Sequence, residues 1–80
     1  GDNSFGIISA YPNPTSGRFT IQSEGDIKSI DVYSITGAKV YSRPNDQTSK
    51  EIDLSNFQNG MYVLVVNDGV KRHTLKVIKQ

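Results

Sequence analysis

The sequence predicts an all-β domain, an antiparallel β-sandwich of about seven strands, and three observations carry that prediction. Seven β-type runs fall at about 7–11, 18–24, 28–34, 38–43, 49–54, 61–67 and 70–78, with centres ~8–12 residues apart and turn residues between nearly all of them. The last two runs flank Asp68-Gly69, a pair suited to a tight hairpin turn. No stretch holds a helical period long enough to compete.

The first run must stop at Tyr11-Pro12-Asn13-Pro14, because each residue before a proline is held extended and neither proline can donate to a ladder. In Arg18–Glu24 apolar and polar residues alternate, so Phe19 and Ile21 face inward while Arg18, Thr20, Gln22 and Glu24 face water. Ile30 and Val32 play the inward part in the third run, with Lys28 and Asp31 outside. Gly37 then supplies the left-handed residue of a turn. A three-residue loop, Ile35-Thr36-Gly37, pairs Val32 with Val40, and a two-residue turn at Thr36-Gly37 pairs Val32 with Tyr41; both are acceptable physically.

Arg43-Pro44-Asn45-Asp46-Gln47 reads as a polar connection, and Leu54–Asn59 as a loop pinned by Leu54 and a buried Phe57. The sixth run is apolar on both faces: Met61, Val63 and Val65 alternate with Tyr62, Leu64 and Val66. That pattern predicts a strand central in its sheet or covered on its outer side. With a two-residue Asp68-Gly69 turn, Asn67 faces Val70, and Leu64 pairs with His73, Tyr62 with Leu75 and Gly60 with Val77. This is the favoured register, because it gathers the apolar side chains on one face. A three-residue loop would instead set Leu64 opposite Arg72 and Tyr62 opposite Thr74.

Eighty residues with 35% hydrophobic content and 21% charge suit one small globular domain with one core, with little room for a deep polar active site. A net charge of +1 gives no strong field for nucleic acid or anionic membrane. With no cysteine, packing alone holds the domain, and thiolate catalysis and sulfur-ligated metals are removed. No apolar run approaches the ~18 residues of a membrane span, so direct membrane insertion is not expected. Gly1–Phe5 has no signal-peptide character, so an exported version needs its signal on a larger parent.

No catalytic, cofactor or metal site is expected. His73 is the only histidine and reads as a half-buried cross-strand residue without companion ligands. Ser, Asp and His occur without any pattern suggesting a triad, and Asp26, Asp31, Asp46, Asp53 and Asp68 lack the dense alternation of a calcium loop. Asn13-Pro14-Thr15 is excluded as a glycosylation acceptor by its central proline.

Tyr11-Pro12-Asn13-Pro14-Thr15-Ser16-Gly17, then Ile30-Asp31-Val32-Tyr33 with Gly37 and Val40, then Leu54 through Gly60-Met61-Tyr62, and finally Lys76-Val77-Ile78-Lys79 form an ordered set of boxes. Together they resemble the C-terminal sorting domain of type IX secretion cargo, type A, over nearly all of residues 8–80. The resemblance implies an immunoglobulin-like β-sandwich at the end of a larger protein from Bacteroidetes-type Gram-negative bacteria. It implies a non-catalytic signal that directs an upstream cargo, after passage through the periplasm, across the outer membrane to the cell surface or medium. The implied partners are the type IX translocon, its outer-membrane shuttle protein and a surface sortase. The sortase cuts in the linker before the first strand and commonly joins the cargo to anionic lipopolysaccharide. On this reading residues 1–6 are linker and 7–80 the sorting domain, and the signal residues are Pro12, Asn13, Pro14, Gly17, Gly37, Val40, Gly60, Tyr62, Lys76, Val77 and Lys79.

Plainer readings stand beside these. Pro12, Asn13, Pro14 and Gly17 also make a rigid turn, which their turn chemistry favours over a recognition surface. Lys71, Arg72, Lys76 and Lys79, with no acid after Asp68, either dock an acidic groove or discourage an edge strand from pairing. Recognition through the last strand can use its main chain or its side chains. The competing function is a carbohydrate-binding or adhesive β-sandwich using Tyr11, Tyr33, Tyr41 or Tyr62, which requires coplanar tyrosines on one face. An inert spacer is a further alternative.

Overall fold

The computed structural model describes residues 8–23, 25–43 and 50–80. Among them lie seven strands and no helix: β1 (Ser9–Tyr11), β2 (Arg18–Gln22), β3 (Ser29–Ser34), β4 (Lys39–Arg43), β5 (Glu51–Asp53), β6 (Gly60–Asn67) and β7 (Arg72–Lys79). They form two antiparallel sheets, ordered β1-β2-β5 and β4-β3-β6-β7. This is the order of an immunoglobulin-like sandwich whose fourth strand has joined the larger sheet. The polar connection expected at Pro44–Gln47 and the outward place of Glu24 lie outside the described residues.

The core follows from the two-residue period of side chains along a strand. Phe19, Ile21 and Ile52 of the small sheet meet Ile30, Val32, Tyr62, Leu64, Val66 and Val77 of the large one, all buried. Ile27 and Leu54 close the cluster from the connections. β6 is central between β3 and β7, which satisfies its apolar outer face: Met61, Val63 and Val65 are half-buried there. Phe57, expected to be buried, is only half-buried; its ring lies 6.3 Å from that of Tyr62, at the margin of the core.

The β3–β4 turn realises both readings of Gly37. Ser34 N donates to Ala38 O at 2.8 Å, closing the three-residue loop, and Gly37 sits in the left-handed region with φ 94°. Tyr33 therefore pairs with Lys39. A bulge after that pair advances the register by one residue, so Val32 ends opposite Tyr41.

The β6–β7 hairpin corrects the expected register. Its loop is four residues long, Asp68–Lys71, so Asn67 pairs with Arg72, Leu64 with Leu75, Tyr62 with Val77 and Gly60 with Lys79. Neither the pairing of Leu64 with His73 nor the alternative with Arg72 occurs. Side chains that capture loop amides are the cause. Asn67 Oδ1 accepts from Gly69 N at 2.8 Å, while Asp68 Oδ1 accepts from the amides of Val70 and Lys71 at 2.8 Å each. These bonds stabilise a wider turn than the backbone of Asp68-Gly69 alone requires. The slip is two residues, an even number, so the faces stay as expected.

Candidate functional site

The proline segment occupies the place where the chain leaves one sheet for the other. β1 pairs with β2 through Tyr11, and four residues later Thr15 forms a parallel bridge with Lys79 of β7. Between them lie Pro12, Asn13 and Pro14, with both Tyr11–Pro12 and Asn13–Pro14 peptide bonds cis. Two prolines remove two backbone donors from a segment that runs beside a strand edge. The side chain of Asn13 replaces them: its Nδ2 donates to Lys76 O at 2.8 Å and its Oδ1 accepts from Ile78 N at 3.0 Å. One carboxamide thus mimics a peptide group of a neighbouring strand. Thr15 N then donates to Ile78 O at 2.8 Å, and Gln80 N donates to Thr15 O at 2.9 Å. Four hydrogen bonds fasten the segment to the end of β7 and to Gln80, the residue after it.

Thr15 and Gly17 hold the other side of this latch. The buried Thr15 hydroxyl donates to Arg18 O at 2.6 Å and accepts from Gly17 N at 3.0 Å. Gly17 O accepts from Leu54 N at 2.9 Å, and a Cβ at Gly17 would sit 2.9 Å from Ser55 Cα. Only glycine fits that approach. Asp53 braces the same connection: its carboxylate accepts from the Ser55 hydroxyl and amide and lies 3.5 Å from Arg18 Nε. The Ser55 bonds hold the Asp53 carboxyl below its ordinary value, with a smaller contribution from Arg18.

At the far end of β7, Lys79 points toward the core side and is buried, and its Nζ donates to Asn59 Oδ1 at 2.9 Å. Next to it, the Tyr62 hydroxyl donates to Gln58 O at 2.5 Å. A tyrosine near the start of β6, bonded to the backbone a few residues upstream, is the tyrosine corner of immunoglobulin-like sandwiches. Gly60 pairs with Lys79 and Tyr62 with Val77, so the boxes at 60–62 and 76–79 are two sides of one ladder.

The expected signal residues therefore divide into groups. Asn13, Gly60, Tyr62, Lys76, Val77 and Lys79 meet along β7, with Pro12 and Pro14 exposed on either side of Asn13 and Gly17 behind the turn. Gly37 and Val40 do not join them; they belong to the β3–β4 hairpin, on the opposite edge of the large sheet. Of the four basic residues, Lys71, Arg72 and Lys76 are exposed, whereas Lys79 is turned inward. Thr15, Gln58 and Asn59 were not singled out by sequence. The available signal was Asn13 itself, an amide side chain between two residues that lack an N–H.

The tyrosines are dispersed. Tyr62 is in the core, Tyr41 is half-buried beneath the Arg43 guanidinium, Tyr33 lies half-buried beside Lys39, and Tyr11 is exposed at the end of β1. They do not form a coplanar platform. A shallow depression of about 340 Å³, lined by Ser29, Asp31, Tyr33, Val65, Asn67 and Arg72, lies on the outer face of the large sheet. In it, Asp31 Oδ1 accepts from the Ser42 hydroxyl at 2.7 Å and lies 3.8 Å from Lys39 Nζ. Among the described residues, no group of three or more His, Asp or Glu could hold a metal ion. His73 is half-buried, with Nε2 2.9 Å from Asp68 Oδ2.

An immunoglobulin-like sandwich whose N-terminal proline segment is fastened to its last strand is a small module organised around its own C-terminal ribbon. The sequence model of one family, the secretion system C-terminal sorting domain, matches residues 9–80. The chain belongs to that family, the sorting domains of type IX secretion, whose members are typically non-catalytic. No curated protein matches the chain.

Proposed function

We propose that the domain is a non-catalytic export address for a cargo joined at its N-terminal side, carried through the type IX translocon with the outer-membrane shuttle protein and delivered to the cell surface or medium. A surface sortase then cuts in the linker before the first strand, at residues 1–6 or upstream of them, and attaches the cargo to the surface. Family membership across residues 9–80 is the observation that carries this reading. The convergence of Asn13, Gly60, Tyr62, Lys76, Val77 and Lys79 on one ribbon supports them as one signal element. Gly37 and Val40 support a second element on the opposite hairpin.

The test is a fusion of residues 1–80 to a passenger protein. Export is expected only in cells with a working translocon, and deletion of Val70–Gln80 is expected to abolish it. The C-terminus of the exported passenger, when sequenced, should lie before the first strand. A passenger held in the periplasm by the intact fusion overturns the reading.

A further inference from the structure

The latch closes only part of the β7 edge. The groups that point away from β6 belong to alternate residues: Lys76 O, Ile78 N and O, and Gln80 N are taken by Asn13 and Thr15. Continued toward the hairpin, the same period turns outward the N–H and C=O of Arg72 and Thr74 and the N–H of Lys76. None of these five groups meets a partner among the described residues. They span about 14 Å, room for one short strand.

We propose, resting on the export reading, that the Arg72–Lys76 edge of β7 receives an added strand from the export machinery, in which acidic side chains alternate with apolar ones. The alternation follows from the two faces that such a strand must match. On the outer face stand Arg72, Thr74 and Lys76, all exposed, two of them cations. On the other face stand the half-buried His73 and Leu75, the latter packed against the core. A second copy of this chain is a poor occupant. Antiparallel pairing of two such edges about Thr74 sets Arg72 of each opposite Lys76 of the other, and like charges directly opposite are destabilising. Asn13, bonded to Lys76 O, marks where the added strand must end.

The probe is a nine-residue peptide of alternating Glu and Val, titrated into the isotopically labelled 80-residue chain, with a Lys and Val peptide as control. The amide resonances of Arg72, Thr74 and Lys76 are expected to shift with the Glu peptide and not with the Lys peptide. Thr74→Pro removes an outward donor and no bond to β6, so binding should weaken about tenfold or more. The double variant Arg72→Glu, Lys76→Glu, altered only at exposed positions, should reverse the peptide preference. If neither peptide moves these amides, if both do equally, or if the chain dimerises through this edge, the proposal falls.

Export separates this inference from the reading beneath it. Folded Thr74→Pro fused to a passenger should fail to be exported while the unaltered fusion succeeds. Normal export of that variant overturns the edge proposal alone, whereas failure of the unaltered fusion overturns the export reading.

Discussion

The two halves of β7 are held by different means. From Lys76 onward the strand is paired on both sides, by β6 and by the proline segment, and it plants Val77 in the core. From Arg72 to Leu75 it is paired on one side only, and its anchor is the hairpin loop with the Asp68–His73 contact. Beyond the ladder to β6 that both halves share, one half is locked by groups more than sixty residues away in the chain and the other by a loop contact five residues away. The strand is thus bonded on both sides in its second half and open on one side nearer its turn.

The two halves differ most at Val77. Val77→Ala removes two methyl groups from a fully buried site, and urea unfolding should show a loss of about 2.5 kcal/mol, transfer and cavity effects included. Leu75→Ala, half-buried in the open half, should cost clearly less than the same chemistry would at a sealed site. A result in which Leu75→Ala is the costlier change would refute the division of the strand.

Asn13→Ala should come next, at about 1.5 kcal/mol for two partly exposed hydrogen bonds to the backbone. Its signature is local: the Ile78 amide, protected by Asn13 Oδ1, should exchange with solvent far faster, while the Thr74 amide, already open, stays as it was. Unchanged protection at Ile78 would remove the latch from this account.

The smallest effect belongs to the loop. Bonds from the Lys71 amide first, then the His73 side chain and the Val70 amide, lower the Asp68 carboxyl from its ordinary value of 3.8 to about 2. Its folded value lies below its unfolded one, so its stabilisation is present in full above the unfolded value and is lost as pH falls toward 2. Asp68→Asn should flatten this part of the acid limb in a pH series of unfolding curves. An identical acid limb in both proteins would contradict the assignment.

The strands and their faces were legible in the sequence because they rest on local alternation. Phe19 and Ile21, or Ile30 and Val32, announce their side of a sheet through their immediate neighbours. Registers were less legible. At the β3–β4 turn two pairings were equally consistent with Gly37, and the bulge uses both. At the β6–β7 turn, Asn67 and Asp68 compete for loop amides, a contest between side chain and backbone that Asp-Gly as a turn pair does not reveal. Phe57 failed as a core residue because a loop position carries no alternation from which to infer depth.

By itself the sequence determined the class of fold, the inward set of side chains, the positions of the turns and the boxes that mark the family. These depend on period, turn chemistry and composition, which act over a few residues. Three features emerge in the folded chain alone: Asn13 serves as a surrogate peptide group for β7, Lys79 is buried against Asn59 while Lys76 stays in water, and the open edge stops at Lys76. Each of these joins groups distant in the chain, and which partner a polar group finds is settled by where packing of the two sheets brings it to rest.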